Sequence, residues 1–240
     1  PLWRPIEQEL QTIFEQLEAA LRPLGRSLLK ELMQQLPDYE FLFPPGLVCF
    51  SGHLFSQGRD QYLPALFMEL LYLGTRYHNM AGHLKSKEQQ MFVLTGDFLY
   101  SHLFYLLDKS QNLFLLDNFS RLIIAMNEGF ASEEGYRLKK TKPDKKEIRE
   151  WLYKQYGVFY GESCFLGSLF ARSSKKEQLI MKEFGTAFGI AYGIHKKGYS
   201  SLSADEFMEK GFSALSLLPD SQGKKELESF VLGIIESGGI

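Results

Sequence analysis

MELLYLGTRYHNMAGH (Met68 to His83) and FGTAFGIAYGIHKKGYS (Phe184 to Ser200) are the two stretches whose reading decides the fold. The second spaces Gly185, Gly189 and Gly193 four apart, which lines them along one face of a helix. Glycine inside a helix costs about 1 kcal/mol relative to alanine. A row of them, continued backward through Gly157, Gly161 and Gly167, implies close helix–helix approach or a ligand against bare backbone. The first stretch closes an apolar run from Leu63 to Leu73 that has no polar face. Such a helix belongs inside a bundle, and Leu113 to Met126 reads the same way.

Helix punctuation extends over the rest of the chain. Ser86–Gln89, Asp144–Glu147, Ser174–Glu177 and Ser203–Glu206 each have the capping-box spacing, in which the first side chain and the fourth satisfy one another's backbone amides. Ile6, Leu10, Ile13, Phe14, Leu17 and Leu21 follow a helical period from Ile6 to Arg22. Pro23 interrupts it, and Leu24 to Leu36 continues. Pro37 to Pro45 reads as a loop and Leu47 to Phe55 as a short helix. Further helices are expected from Asp60 to His78, Ser86 to Leu107, Gln111 to Glu133, Lys145 to Ala171, Lys175 to Lys197, Ala204 to Leu217 and Gly223 to Glu236. Pro64 is tolerated in a first turn, where no amide donor is needed. Gly135 and Gly198 are placed to end helices in the left-handed conformation. Arg137 to Lys146 is the one basic, loop-like stretch and reads as a solvated connection.

The chain has 240 residues, of which 45% are apolar, enough for a sizeable core. A net charge of -2 argues against nucleic acid as a partner. Cys49 and Cys164 lie far apart without metal-ligand spacing and read as buried thiols in a reducing compartment. No secretory leader is visible, nor an apolar run of about 18 residues that would span a bilayer. The expectation is a soluble cytoplasmic protein with no integral membrane segment.

Taken together, the two opening stretches resemble the signature helices of trans-polyprenyl diphosphate synthases, which read LELIHxASLxHDDxxD and FGxxxGxAFQIxDDxxD. Phe92-Val-Leu-Thr-Gly-Asp97-Phe-Leu is similar to the family's LxGDxLL segment, and Ser163-Cys-Phe-Leu-Gly167 to its SCELG segment. Order and spacing agree from Leu63 to Leu232. Glu69 and Asp97 stand at family positions. The departures are systematic. Asn79, Met80 and His83 replace the first acidic cluster; Lys196, Lys197 and Ser200 replace the second. Phe41 to Gly46 stands where the family carries the basic GGKRxRP, Gln155-Tyr156 where it carries Lys-Thr, and Gly193 where it carries Gln.

The run from Gln90 to Glu133 most resembles the small, non-catalytic component (component 1) of two-component heptaprenyl diphosphate synthases. That resemblance implies an all-α, isoprenoid-synthase-type bundle of about ten helices, forming one degenerate domain over residues 1–240. It implies a non-catalytic, regulatory subunit of a heteromeric polyprenyl diphosphate synthase, supporting chain elongation for the menaquinone side chain. The partner would be the catalytic large subunit, in a heterodimer, and Mg²⁺ would be bound there rather than here. Docking would shape the tunnel in which the apolar chain grows.

Ligand chemistry gives the same weight to the lost acids. Mg²⁺ is held by carboxylates and substrate phosphates in octahedral geometry. An amide oxygen, a thioether and an imidazole are poor substitutes, and lysines repel it. No catalytic residue and no metal ligand is therefore assigned. His78 and His83 lie five apart, which is not a helical ligand pair. Lys196 and Lys197 read either as an anion site or as the favourable positive end of a helix. Glu69, Asp97, Phe98 and Phe104 are candidates for a cavity or an interface; if Glu69 or Asp97 is buried, it needs a partner. Two other readings remain open: a homodimeric, isoprenoid-binding protein that holds a prenyl diphosphate chain without a catalytic partner, and an enzyme of altered chemistry using His78, His83 and the lysines.

Overall fold

The structure is a computed structural model that describes residues 3–25, 43–55, 61–82 and 86–236, with the backbone alone at 86–88 and 236. All regular structure among these residues is helical. Helix α1 (Glu7–Leu21) lies between short 3₁₀ turns at Arg4–Ile6 and Arg22–Leu24. It buries Leu10, Ile13, Leu17 and Leu21, the stripe its period predicts. The continuation expected over residues 26–36 and the loop over 37–42 lie outside the described residues.

Helix α2 (Phe43–His53) begins four residues earlier than Leu47 and is buried from Phe43 to Gly52. Pro44 and Pro45 are therefore helical, not loop. They occupy the first turn, where the missing amide donors cost nothing. Helix α3 (Tyr62–Ala81) has Pro64 in its first turn and buries Ala65 through Leu71 on every side. It runs three residues past the expected end at His78. Helix α4 (Ser86–Lys109) packs along α3.

A 3₁₀ turn at Leu113–Leu115 leads into α5 (Leu116–Lys139). Two expectations fail in α5. Gly135 does not stop it; the helix runs to Lys139, six residues beyond Glu133, and is closed by Lys140, at φ 54°, whose amide donates to the Arg137 and Tyr136 carbonyls. The first part of the basic stretch is thus helical. Nor is Leu113 to Met126 buried all round: Leu115, Phe119, Leu122 and Met126 face the core, while Leu113, Phe114, Leu116 and Ile124 are exposed.

Helices α6 (Lys145–Leu152) and α7 (Val158–Phe170) form one continuous rod joined by a π turn at Tyr153–Gly157. Helix α8 (Lys175–Lys197) ends at Gly198, φ 68°, as its sequence predicts. Helices α9 (Ala204–Leu215) and α10 (Gln222–Glu236) complete the bundle. The boxes at Asp144 and Ser174 are reciprocal. Ser203 makes only the forward bond to the Glu206 amide, because the Glu206 carboxylate reaches Arg149 instead. The Ser86 side chain lies outside the description.

The glycine row does what its cost requires. A Cβ on Gly185 would run into the Tyr160 carbonyl, and one on Gly167 into the Val48 carbonyl. Glycine thus lets α7 lie directly against α8 on one side and α2 on the other. One contiguous apolar core runs from Ile6 through Phe50, Phe67 and Phe188 to Ile234. No described helix is long and apolar enough to cross a membrane.

Candidate functional site

The two signature stretches meet across a cavity of about 280 Å³. The C-terminal half of α3 contributes Tyr72, Thr75, Arg76, Asn79 and Met80, which recur every three or four residues and so share a face. From the far side α8 contributes Tyr192 and Lys196. Met126 and Phe130 of α5 close one flank, and Gln155, Tyr156, Phe159 and Tyr160 of the π turn and α7 close the other. The aromatic walls interlock edge to face: Tyr160 meets Tyr192 at 5.4 Å and Phe188 at 5.5 Å, and Tyr156 meets Tyr192 at 5.9 Å.

Asn79, Met80 and Lys196 are thus brought together. Arg76 joins them, and it was missed in the sequence although a lone cation one turn before Asn79 on an apolar helix marks it. Arg76 Nη1 donates to the Tyr72 hydroxyl at 3.3 Å, and Lys196 Nζ to the Tyr192 hydroxyl at 3.4 Å. No carboxylate lines the cavity among the described residues. This donor set does not fit Mg²⁺. One amide oxygen and a soft thioether cannot build an octahedron of hard oxygens, and two fixed cations oppose the ion. Nowhere among the described residues do three His, Cys, Asp or Glu side chains gather as a metal site.

Lys197 is turned away from the cavity. Its Nζ donates to Glu133 of α5 at 2.8 Å. The same carboxylate accepts from Tyr199 Oη at 2.8 Å and Gln155 Nε2 at 2.9 Å. Burial alone would raise the Glu133 pKa, but these donors and the Lys197 charge outweigh it and hold it below the usual range. Gln155 Nε2 also donates to the Gly129 carbonyl at 3.0 Å. Gln155 is buried, and its Oε1 has no partner among the described residues. Glu133, 64 residues from Lys197, gave no local signal. Ser200 is exposed beyond the helix end, and His83 lies outside the described residues.

The remaining candidates sit elsewhere. Glu69 is fully buried in α3 away from the cavity, and neither oxygen has a partner among the described residues, contrary to the expectation that burial demands one. Burial raises its pKa well above the ordinary range, which favours the neutral acid over the carboxylate. Asp97 is not in a cavity; its side chain is 62% exposed and accepts from His78 Nε2 at 3.1 Å. That pair, with the Val93 carbonyl at 3.2 Å from the same nitrogen, occupies His78 structurally. Phe98 and Phe104 are half-buried on α4 against the core, and Phe98 stacks on His102 at 5.8 Å. Leu94 and Tyr105 of α4 and Phe114 of the 3₁₀ turn before α5 are large apolar side chains left exposed.

No protein-family model and no curated protein sequence matches the chain. Solved structures do. The geranylgeranyl pyrophosphate synthase of Corynebacterium glutamicum, complexed with calcium and isoprenyl diphosphate, superposes with a TM-score of 0.83 at 15% identity over 100% of this chain and 98% of that one. A decaprenyl diphosphate synthase from Rhodobacter capsulatus gives 0.81 at 12% identity over 98% of both chains. A deletion mutant of the heterotetrameric geranyl pyrophosphate synthase of mint gives 0.73 at 17% identity over 94% and 97%. The chain has the all-α fold of these polyprenyl synthases.

Proposed function

We propose that this chain is a non-catalytic subunit of a heteromeric polyprenyl diphosphate synthase of the heptaprenyl type, supporting elongation of the menaquinone side chain. The observation that carries this reading is the cavity between the two signature stretches, where Asn79, Met80, Arg76 and Lys196 stand and no described carboxylate does. A catalytic partner would supply both acid clusters and the Mg²⁺ that neutralises the departing diphosphate. The exposed apolar side chains Leu94, Tyr105 and Phe114 are where that partner would dock. A cavity of about 280 Å³ is below the roughly 300–1,000 Å³ of ordinary small-molecule sites. The long product therefore grows in the partner, and this chain acts on its tunnel from outside rather than forming it.

A second reading is favoured by the aromatic lining of the same cavity: a homodimeric isoprenoid-binding protein with no catalytic partner. Co-expression with the acid-rich synthase of the same source separates the two. Co-purification, with elongation of farnesyl diphosphate by isopentenyl diphosphate only when both chains are present, supports the subunit. A partner fully active alone, with unchanged product length, removes it.

A further inference from the structure

We propose that the corner between α5 and α6 docks the protein on an anionic lipid surface, with Leu138 entering the headgroup layer among lysines. The proposal does not depend on the subunit reading. From Arg137 to Lys146 there are six cations and one carboxylate, a net charge of +5. The whole chain carries -2, so the remainder carries -7. Arg137 is taken up by Glu134 one turn before it. Lys139, Lys140, Lys142, Lys145 and Lys146 are all exposed, and none forms an ion pair among the described residues.

Three of these lysines stand where local physics disfavours them. Lys140 holds φ 54°, the left-handed conformation at a helix end that glycine adopts without strain. Lys145 and Lys146 are the first two residues of α6, at the positive end of the helix dipole, where acids are favoured. A solvated connection needs no cation at any of the three positions. Such departures from local preference collect where a chain puts the residue to another use. The corner is also a fixed frame. Asp144 and Glu147 form a reciprocal capping box, the Tyr136 hydroxyl donates to Glu147, and the Tyr136 ring meets Trp151 edge to face at 5.4 Å.

The side chains define the partner. Leu138 is 71% exposed between Arg137 and Lys139. An apolar side chain flanked by lysines gains by entering a headgroup layer, where the ammonium groups meet lipid phosphates. Charges more than about 8 Å away are screened at physiological ionic strength, so the corner rather than the acidic remainder governs the approach. Nucleic acid fits less well. The one guanidinium fork of the stretch is occupied by Glu134, and no aromatic ring between Arg137 and Lys146 offers a base a stacking platform.

The test is flotation of the full chain with phosphatidylcholine vesicles containing about 30% phosphatidylglycerol, against vesicles of phosphatidylcholine alone. Binding is expected to the first only, and it should disappear in about 0.5 M NaCl. Lys142→Gln should weaken it about 5-fold, and Leu138→Ser about 3- to 10-fold. Lys140→Gly combined with Lys146→Glu should melt at a higher temperature than wild type and no longer float, so that lost binding is not lost fold. No binding to the anionic vesicles, equal binding to both kinds, binding that survives the salt or indifference to Leu138→Ser overturns the proposal. A double variant that still floats, or that melts lower, does the same. So does tighter binding to a short DNA duplex than to the anionic vesicles, with the same dependence on Lys142. Each of these failures leaves co-purification with the acid-rich synthase as it was, so the two proposals fail separately.

Discussion

Lys197 Nζ meets Glu133 across 2.8 Å and ties the last turn of α8 to the C-terminal third of α5, so a residue at a second-cluster position acts as a structural clamp. Glu133→Ala removes an acceptor shared with Gln155 and Tyr199. The expected loss is about 1.5–3 kcal/mol at pH 7, typical of bonds to a charged group. The folded-state pKa of Glu133 is depressed. Its contribution is therefore complete above the ordinary carboxylate range and disappears as pH falls through the folded value. Urea unfolding at pH 7 and at about pH 3.5 should show the wild-type advantage shrinking at the lower pH. A gap that stays constant would contradict the assignment.

Glu69 has the opposite sign. The folded chain holds its proton and the unfolded chain releases it above the ordinary carboxylate range. Stability should therefore fall as pH rises, at up to about 1.4 kcal/mol per unit in that window. Glu69→Met keeps similar bulk and removes the titration. The variant should be close to wild type near pH 4.5 and more stable at pH 7.5, read from urea midpoints. Equal destabilisation at both values would mean that folding does not shift the Glu69 pKa, and would contradict the assignment.

Gly185→Ala and Gly135→Ala should differ in sign. The first puts a methyl against the Tyr160 carbonyl and Cys164 Sγ, where overpacking costs about 1–3 kcal/mol. The second meets nothing within 4 Å and lies inside a helix, so it should gain about 0.5–1 kcal/mol. Thermal melts of both variants decide it.

Charge at the exposed apolar positions of α4 and the 3₁₀ turn after it should separate assembly from folding. Leu94→Glu combined with Phe114→Glu alters side chains that are 67% and 65% exposed. Thermal stability should change by less than about 0.5 kcal/mol, as for ordinary surface positions. Co-purification with the acid-rich synthase should be lost if the interface of about 1,000 Å² or more lies there. Retained assembly would move the docking surface elsewhere.

Asn79→Asp, Met80→Asp and Lys196→Asp together should raise Mg²⁺ affinity without giving a polyprenyl product. The changes supply ligands, but Gln155-Tyr156 still stands where the family carries Lys-Thr, and positioning of both substrates is the larger part of such catalysis. Steady elongation by this variant alone would show that only the acids separate the chain from an enzyme.

The fold was legible because its signals are local. Capping at Asp144 and Ser174, the stop at Gly198 and the stripe of α1 each depend on residues within about a turn. Errors arose where tertiary context decides. Pro44 and Pro45 looked like loop, because nothing nearby says a helix begins at Phe43. Leu113, Phe114 and Ile124 looked buried, because an apolar residue facing outward is indistinguishable in sequence from one facing in. Asn79, Met80 and Lys196 could be placed together through the resemblance. The Glu133 clamp could not, since it joins residues that chain order keeps far apart. Glu69 was suspected, but the raised pKa that favours its neutral form follows only from its burial without a partner among the described residues.

The π turn at Tyr153–Gly157 takes up one residue more than a plain α-helix would, in the middle of the α6–α7 rod. An α-helix turns about 100° per residue, and a π turn is one residue wider than an α turn. That surplus residue lets Gln155 look toward α5 while Gly157 and Gly161 look toward Ile190 and Thr186 on α8. Removing one of the five would return the segment to plain α-helix, with α7 still facing α8 but Gln155 no longer aimed at α5. Removing a residue from the plain α-helical parts of the rod would instead turn everything after it by about 100°. Gly161 would then leave its seat against Thr186 and Gly167 its seat against Val48, and bulkier neighbours would arrive in their place.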